Sequence, residues 1–388
     1  MYNILTLNKI AKCGTDNFDT AKYTISDSVE NPDAILVRSA KMHDMEFGSN
    51  LLAIGRAGAG TNNIPVDKCA EQGICVFNTP GANANAVKEL VIAGLLLSSR
   101  RVAEAIDWAK TLKGNGDEVT KMVEKGKSQF VGPEVSGKTL GIIGLGAIGR
   151  LVANTAVSLG MNVVGVDPFL SVEGALSLNP AVKVVKSNDQ VYAQADYLTI
   201  HVPCNADTKG FINAETIAQM KDGVRILNFA RGELVNDTDI LSALSTGKVA
   251  KYVTDFANDT VLCNENVVAL PHLGASTPES EDNCAIMAVN ELIEYIENGN
   301  IINSVNLPNA VLNANGTKVC IIHKNVPDTV AQITSVFGSN GINIENMVNK
   351  SRGNFAYTML DVCSEVSQDV VAKLQSNDAV IKVRVINK

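Results

Sequence analysis

Four histidines occur in the 388-residue chain: His43, His201, His272 and His323. Two of them stand where a reacting group would be held. His272 lies just past the apolar run NVVAL, and His201 closes YLTIHV. Arg231 follows VRILNF in the same way, with Gly232 leaving room beside it. An imidazole can give or take a proton near neutral pH. A planar guanidinium clamps a carboxylate through two parallel hydrogen bonds. Together they meet two needs of chemistry that interconverts 2-hydroxy and 2-oxo acids: a cation for the carboxylate and a proton carrier for the carbonyl oxygen. The third need is a group that tunes the proton carrier.

Such chemistry also needs a hydride carrier. In TLGIIGLGAIGRLVANTAVSLGMNVVGVDP, Gly144, Gly146 and Gly149 form G-x-G-x-x-G between a strand and the opening of a helix. The first glycine allows the tight turn and the second lets the backbone approach a pyrophosphate. The third permits close packing of helix on strand, with the helix N-terminus facing the phosphate charge. Asp167 ends the next strand, where its carboxylate can accept hydrogen bonds from both ribose hydroxyls and would repel a 2′-phosphate. No arginine follows it, so NAD is the expected cofactor rather than NADP. The similar GRAGAG at 55–60 opens no helix. His201 is expected to line the cofactor cleft at most, with a structural role as the alternative.

Elements must place these groups. Apolar content of 46% with 19% charged residues describes a globular chain, and its length calls for two or three domains. Short β-branched runs (YNILTL, AILVRS, ICVFN, then TLGIIG, NVVGV, YLTIHV, VRILNF, KYVTDF, NVVAL) alternate with helical patterns, the signature of doubly wound parallel sheets. NAVKELVIAGLLLSSRRVAEAIDWAKTL reads as one long helix, apolar on nearly every side in its first half. That places it between layers or at a subunit interface. Another helix begins after Thr277 as N-cap, with Pro278 at its first position and Gly299 just past its end. The asparagine-rich stretch that follows reads as a linker by composition. Residues 317–388 then run strand–helix–strand–strand–helix–strand.

The bulk numbers exclude other classes. A net charge of −8 weighs against non-specific nucleic-acid binding. MYNILTLNKI does not read as a signal peptide, and LVIAGLLLSS is far too short to span a bilayer. The eight cysteines are scattered without a C-x-x-C pair, so neither a disulfide frame nor a metal site is expected. A cytoplasmic protein without membrane or nucleic-acid partners is the reading.

GLGAIG, HVPCNADTKGFI, NFARGELVND and PHLGAST together resemble the successive signatures of the D-isomer-specific 2-hydroxyacid dehydrogenases, over roughly residues 1–307. LVRSA, AIGRAGAGTNNI and VFNTPGANANAVKELVI are similar to the branch of that family acting on D-3-phosphoglycerate. The C-terminal segment resembles an ACT regulatory domain. The resemblance implies an α/β chain with two doubly wound parallel-sheet lobes, a Rossmann nucleotide lobe and a flavodoxin-like substrate lobe, plus a small β-α-β-β-α-β ACT-like domain. The substrate lobe would take residues 1–92 and 286–307, the nucleotide lobe 93–285, a linker 308–316 and the ACT-like domain 317–388. The implied reaction is NAD-dependent oxidation of D-3-phosphoglycerate to 3-phosphohydroxypyruvate, the first step of phosphorylated serine biosynthesis, in a homodimer or homotetramer.

By the same resemblance Arg231 binds the substrate carboxylate and His272 is the acid/base. The cofactor would meet Gly144, Gly146, Ala147, Ile148, Gly149, Asp167, Phe229, Ala230, Arg231, Asp255, His272, Leu273, Gly274 and Ala275. Arg38 and Arg56, with the backbone at Gly58, occupy the family's positions for substrate phosphate. In the ACT-like domain His323, Asn325 and Asn343 occupy the places that hold L-serine in related enzymes, although Asp328 stands where a glycine is usual. The family usually has a Glu five residues after the Asp that ends the KYVTDF strand, and counting from Asp255 gives Thr260. Asp259, one position earlier, is therefore the expected partner of His272, with Glu265 a poorer choice and Asp255 a nicotinamide-side residue or structural cap. The competing readings are a glyoxylate, hydroxypyruvate or D-lactate type dehydrogenase and a non-catalytic NAD-sensing binding protein.

Overall fold

The computed structural model describes residues 1–314 and 316–387. Two compact units emerge: Met1–Asn83 together with the chain from Pro278 onward, and Ala84–Thr277. The first unit opens with strands β1 (Tyr2–Thr6), β2 (Tyr23–Ser26), β3 (Ala34–Val37), β4 (Ala53–Arg56) and β5 (Cys75–Phe77), all parallel, in the order β2-β1-β3-β4-β5. That order reverses between β1 and β3, which opens a crevice at the carboxyl ends of those strands.

The second unit carries β6 (Thr139–Ile143), β7 (Asn162–Val166), β8 (Lys183–Val184), β9 (Tyr197–Ile200), β10 (Val224–Asn228), β11 (Val249–Thr254) and β12 (Val267–Ala269). They form a parallel sheet in the order β12-β11-β10-β9-β6-β7-β8. Its switch point lies between β6 and β9, so the glycine turn and His201 meet there. Central strands with four or five consecutive buried residues, such as Tyr197–Ile200, show why these segments read as continuous apolar runs.

The single long helix expected from NAVKEL onward is two helices, Ala84–Arg100 and Val102–Thr111, separated by Arg101 in a left-handed conformation (φ 46°). Ser98 and Ser99 both send their hydroxyls to the Leu95 carbonyl, at 2.7 and 3.1 Å. These local bonds compete with the helical ladder just before the break.

The small C-terminal sheet belongs to the first unit. Strands β13 (Thr317–Lys324), β14 (Ile344–Arg352), β15 (Phe355–Val362) and β16 (Val380–Ile386) are antiparallel in the order β14-β15-β13-β16. The α/β class with two parallel sheets and a small ACT-like third matches the expectation. One face of this sheet (Val319, Ile321, Leu360, Val362) packs on its own helices through Ile333, Phe337, Val370 and Leu374. The alternate residues Cys320, Ile322, Tyr357 and Met359 join the core of the five-stranded sheet with Phe77, Leu292 and Ile296.

The stretch read as a linker is packed. Asn300, Ile301, Ser304, Asn306, Leu307, Ala310, Leu312 and Ala314 are buried, while Asn315 lies outside the described residues. Its asparagines act as backbone partners rather than as turn formers alone. Asn306 accepts from Val76 N–H at 2.9 Å and donates to the Ile74 carbonyl at 2.8 Å, and Asn300 accepts from Leu312 N–H at 3.0 Å.

Candidate active site

The nucleotide turn follows from β6 and β7. Gly144 has φ 94°, and a Cβ there would lie 2.6 Å from the His201 carbonyl oxygen. A Cβ on Gly149 would lie 2.0 Å from the Gly144 carbonyl oxygen, so both positions exclude side chains. Around Gly146 nothing lies within 4 Å of such an atom. It caps the helix Ala147–Ser158, whose first residues are Ala147 and Ile148, and leaves the helix N-terminus open to an anionic group. Asp167 accepts from Leu145 N–H at 3.0 Å and from Phe169 N–H at 2.8 Å, one bond to each oxygen. A carboxylate has about four acceptor sites, so lone pairs remain for two ribose hydroxyls. The turn, the open helix end and the acid fit a dinucleotide.

His201, on the far side of the switch point, bonds Thr199 Oγ1 through Nε2 at 3.0 Å. Its Nδ1 is buried without a hydrogen-bond partner. Burial pushes its pKa down to about 3, which favours the neutral imidazole at the sheet end.

The carboxyl ends of β10, β11 and β12 gather the remaining groups. Asn228, fully buried at the end of β10, shapes the loop through Phe229 and Ala230 to Arg231. Its Oδ1 accepts from Ala230 N–H at 3.2 Å and its Nδ2 donates to the Arg231 carbonyl at 2.8 Å. The Arg231 side chain is exposed, with Nη1 donating to the Ala230 carbonyl at 2.7 Å. Asp255, 2% exposed, ends β11 and accepts from Gly274 N–H at 3.1 Å. This bond ties β11 to the segment His272–Ala275 that follows β12. The other oxygen of Asp255 is buried without a partner. Burial raises the Asp255 pKa, opposed by the Gly274 N–H and by the charge of nearby His272. His272 is exposed, and its ring lies 4.9 Å from the Phe256 ring. Gly232, Asp255, Phe256, Pro271 and His272 line part of a cavity of about 690 Å3.

The structure does not pair Asp259 with His272. Asp259 is exposed, and no hydrogen bond or ion pair joins it to His272 among the described residues. Asn258 turns the chain first: its Oδ1 accepts from Thr260 and Val261 N–H, both at 3.0 Å, and its Nδ2 donates to Asp237 at 2.9 Å. This Asx turn leaves Asp259 outside. The acid beside His272 is Asp255. Sequence reasoning missed Asn228, and it named Asp255 as a nicotinamide-side residue or structural cap without placing it beside His272. The signal for both was a polar residue at the end of an apolar strand.

In the first unit Arg38 follows β3 at the switch point and Arg56 ends β4. Arg56 Nε donates to the Arg38 carbonyl at 3.2 Å. Its guanidinium lies over Gly58 (φ 148°), where a Cβ would come within 2.2 Å of Nη1.

The residues expected to hold an amino-acid effector have internal partners. His323, 2% exposed, bonds the Lys324 carbonyl through Nδ1 at 2.8 Å and Thr358 Oγ1 through Nε2 at 2.9 Å. Asn325 donates to the Gly353 carbonyl at 3.1 Å and Asn343 to Glu345 at 2.7 Å. Asp328 keeps the left-handed backbone a glycine would favour (φ 68°) and accepts from Gln332 at 2.7 Å. No group of three or more His, Cys, Asp or Glu that could hold a metal ion occurs among the described residues. Among them no helix is long and apolar enough to cross a membrane.

Comparison with known proteins bears on this site. The family model for the NAD binding domain of D-isomer specific 2-hydroxyacid dehydrogenases matches residues 92–274. The D-3-phosphoglycerate dehydrogenase of Escherichia coli (strain K12) is 34% identical over 343 residues, covering 85% of this chain and 79% of that protein. Its counterpart in Bacillus subtilis (strain 168) is 32% identical over 326 residues, 79% of this chain, and the match spans 59% of that longer protein. Among solved structures, the NAD+-bound 3-phosphoglycerate dehydrogenase of Entamoeba histolytica superposes with a TM-score of 0.61 at 26% identity, covering 80% of this chain and 98% of that one. A nucleotide turn of matching chemistry, the ordered strand ends and these likenesses converge: the chain belongs to the D-isomer-specific 2-hydroxyacid dehydrogenase family.

Proposed function

We propose that the protein oxidises D-3-phosphoglycerate to 3-phosphohydroxypyruvate, and catalyses the reverse reduction, with NAD as hydride carrier. The observation that carries the reading is the arrangement at the ends of β10–β12. Buried Asp255 is anchored to Gly274 and stands next to His272, and the neighbouring strand presents Arg231. When bound, the nicotinamide supplies the two-electron acceptor. Arg231 holds the substrate carboxylate in a bidentate grip and so fixes C2. His272 takes the C2 hydroxyl proton in oxidation and returns it in reduction. Asp255 sets its carboxyl beside His272 and, through Gly274 N–H, holds the segment that carries it. Arg38 and Arg56 take the substrate's phosphate, which suits two guanidinium groups at the carboxyl ends of neighbouring strands. The two relatives described by name as D-3-phosphoglycerate dehydrogenases support this substrate over glyoxylate or pyruvate.

The test is NADH consumption by the purified chain with 3-phosphohydroxypyruvate, glyoxylate and pyruvate. The expected result is a kcat/KM for the phosphorylated acid at least about ten-fold above the others, the equivalent of ~1.4 kcal/mol in transition-state binding. Equal or greater efficiency with glyoxylate overturns the substrate, and no turnover on any of the three overturns catalysis. Because His323, Asn325 and Asn343 are internally bonded, added L-serine is expected to leave the rate unchanged. Inhibition would mean that these three residues rearrange to take an effector.

A further inference from the structure

The anion-facing end of the five-stranded sheet is not a plain basic patch. The backbone N–H groups of Arg38, Ser39 and Ala40 all converge on Asn8 Oδ1, at 2.9, 2.9 and 3.0 Å. The backbone donors at the β1/β3 switch point are therefore already used, and the charge available to a ligand there is carried by side chains. Arg38 Nη2 in turn donates to Glu281 Oε1 at 2.7 Å. Glu281 lies in the first turn of the helix Pro278–Asn298, beside a second acid, Glu279. Both members of the Arg38–Glu281 pair are half exposed, at 42% and 45%.

An exposed ion pair of this kind contributes little to stability. Its location gives it another consequence. A carboxylate placed on a guanidinium edge occupies the donors that a phosphate would use, and it repels a dianion that approaches the same edge. A substrate without a distal anion does not face this competition.

We propose that Glu281 is a specificity-determining residue: it occupies Arg38 as a resident counter-ion, which a substrate phosphate must displace. The preference for phosphorylated over unphosphorylated 2-oxo acids is thereby held below what Arg38 and Arg56 could give. This inference rests on the assignment of Arg38 and Arg56 to the substrate phosphate.

The experiment compares the full chain, Glu281→Gln and Arg38→Ala in steady-state reduction of 3-phosphohydroxypyruvate and of glyoxylate by NADH. The readout is the ratio of the two kcat/KM values, with KM and kcat resolved for each. Glu281→Gln is expected to raise that ratio about two- to five-fold, mainly through a lower KM for the phosphorylated acid, as release of a pair of this strength predicts. Glu281→Lys is expected to raise it further, because it replaces repulsion with attraction. A ratio that stays constant or falls in both Glu281 variants overturns the counter-ion role. Arg38→Ala separates that failure from the other: it is expected to lower the ratio about ten-fold or more. A ratio unmoved in Arg38→Ala overturns the phosphate assignment itself. No turnover by the unaltered chain on either acid overturns both.

Discussion

At the scale of single residues, the decisive question is which carboxylate acts on His272. Coulombic attraction from a buried carboxylate favours the imidazolium, and an exposed one is screened by water and salt. Asp255 is buried and held by Gly274, whereas Asp259 projects from the Asx turn at Asn258. Reduction of the oxo acid needs a proton donor at the carbonyl oxygen, the part given to His272. Asp255→Asn is therefore expected to lower kcat/KM at neutral pH and to alter its pH profile, since Asp255 is the acid beside His272 and holds Gly274 N–H. Asp259→Asn should leave the profile in place. Profiles of kcat/KM against pH decide between them, and a shift seen only in Asp259→Asn would return the role to the outer acid. The positions of His272 and Arg231 were legible in the sequence because the apolar runs NVVAL and VRILNF mark the strands just before them. The choice between two acids four residues apart was not legible, because it turned on the amide of Asn258 bending the chain before Asp259.

At the scale of elements, the helix Pro278–Asn298 carries an acid that no periodicity exposes. Glu291 is 7% exposed, accepts from Asn303 Nδ2 at 2.7 Å, and has its second oxygen buried without a partner. Burial raises its pKa to about 8 from an ordinary value of 4.5. The folded protein thus keeps a proton that the unfolded chain releases across that window. Unfolding then becomes easier as pH rises from about 4.5 to about 8, by up to ~1.4 kcal/mol per pH unit. Glu291→Gln keeps an acceptor for Asn303 and removes the ionisation. It is expected to raise the melting temperature at pH 8 far more than at pH 5, as thermal denaturation at the two values would show. An equal change at both would mean that Glu291 does not titrate in this range. Thr277, Pro278 and Gly299 marked the helix's ends in the sequence, and Val289, Leu292 and Ile296 form its buried face. Nothing in the sequence singled out Glu291, and the segment around Asn303 that supplies its partner read as a linker. A glutamate next to an apolar stripe gives no local sign of what will cover it.

At the scale of the whole first unit, the small sheet is bound into the core it follows in sequence. Arg384, half-buried in β16, donates to the carbonyls of Tyr295 and Ile296 at 3.2 and 2.8 Å and stacks 4.7 Å over the Tyr295 ring. It therefore caps the C-terminal turn of the helix Pro278–Asn298 with a cation, where the helix end favours one. Lys382 reaches the Leu51 carbonyl at 2.6 Å, Tyr357 the Gly299 carbonyl at 2.7 Å and Arg352 the Ser304 carbonyl at 2.7 Å. The strand pattern of this domain was readable by its period. The docking also had a sign in the sequence: VCII, and AYTMLDV apart from Thr358 and Asp361, are nearly continuous apolar runs, as strands covered on both faces are. Composition alone had favoured a tether at 308–316. A tether exposes its backbone to proteases, whereas a packed segment is cut only when the unit opens. In limited digestion with a broad-specificity protease, the chain is therefore expected to survive at 300–314 while the exposed loop around Gly114 and Gly116 is cut. Arg384→Ala leaves the Ile296 carbonyl without its donor, at a cost of about 1–3 kcal/mol, while the Tyr295 carbonyl keeps the Gly299 N–H. It should lower the melting temperature and speed cleavage at 300–314 together. Early cleavage in the unaltered chain, releasing a 1–314 fragment with an unchanged melting temperature, would show that the sheet contributes nothing to the core beneath it.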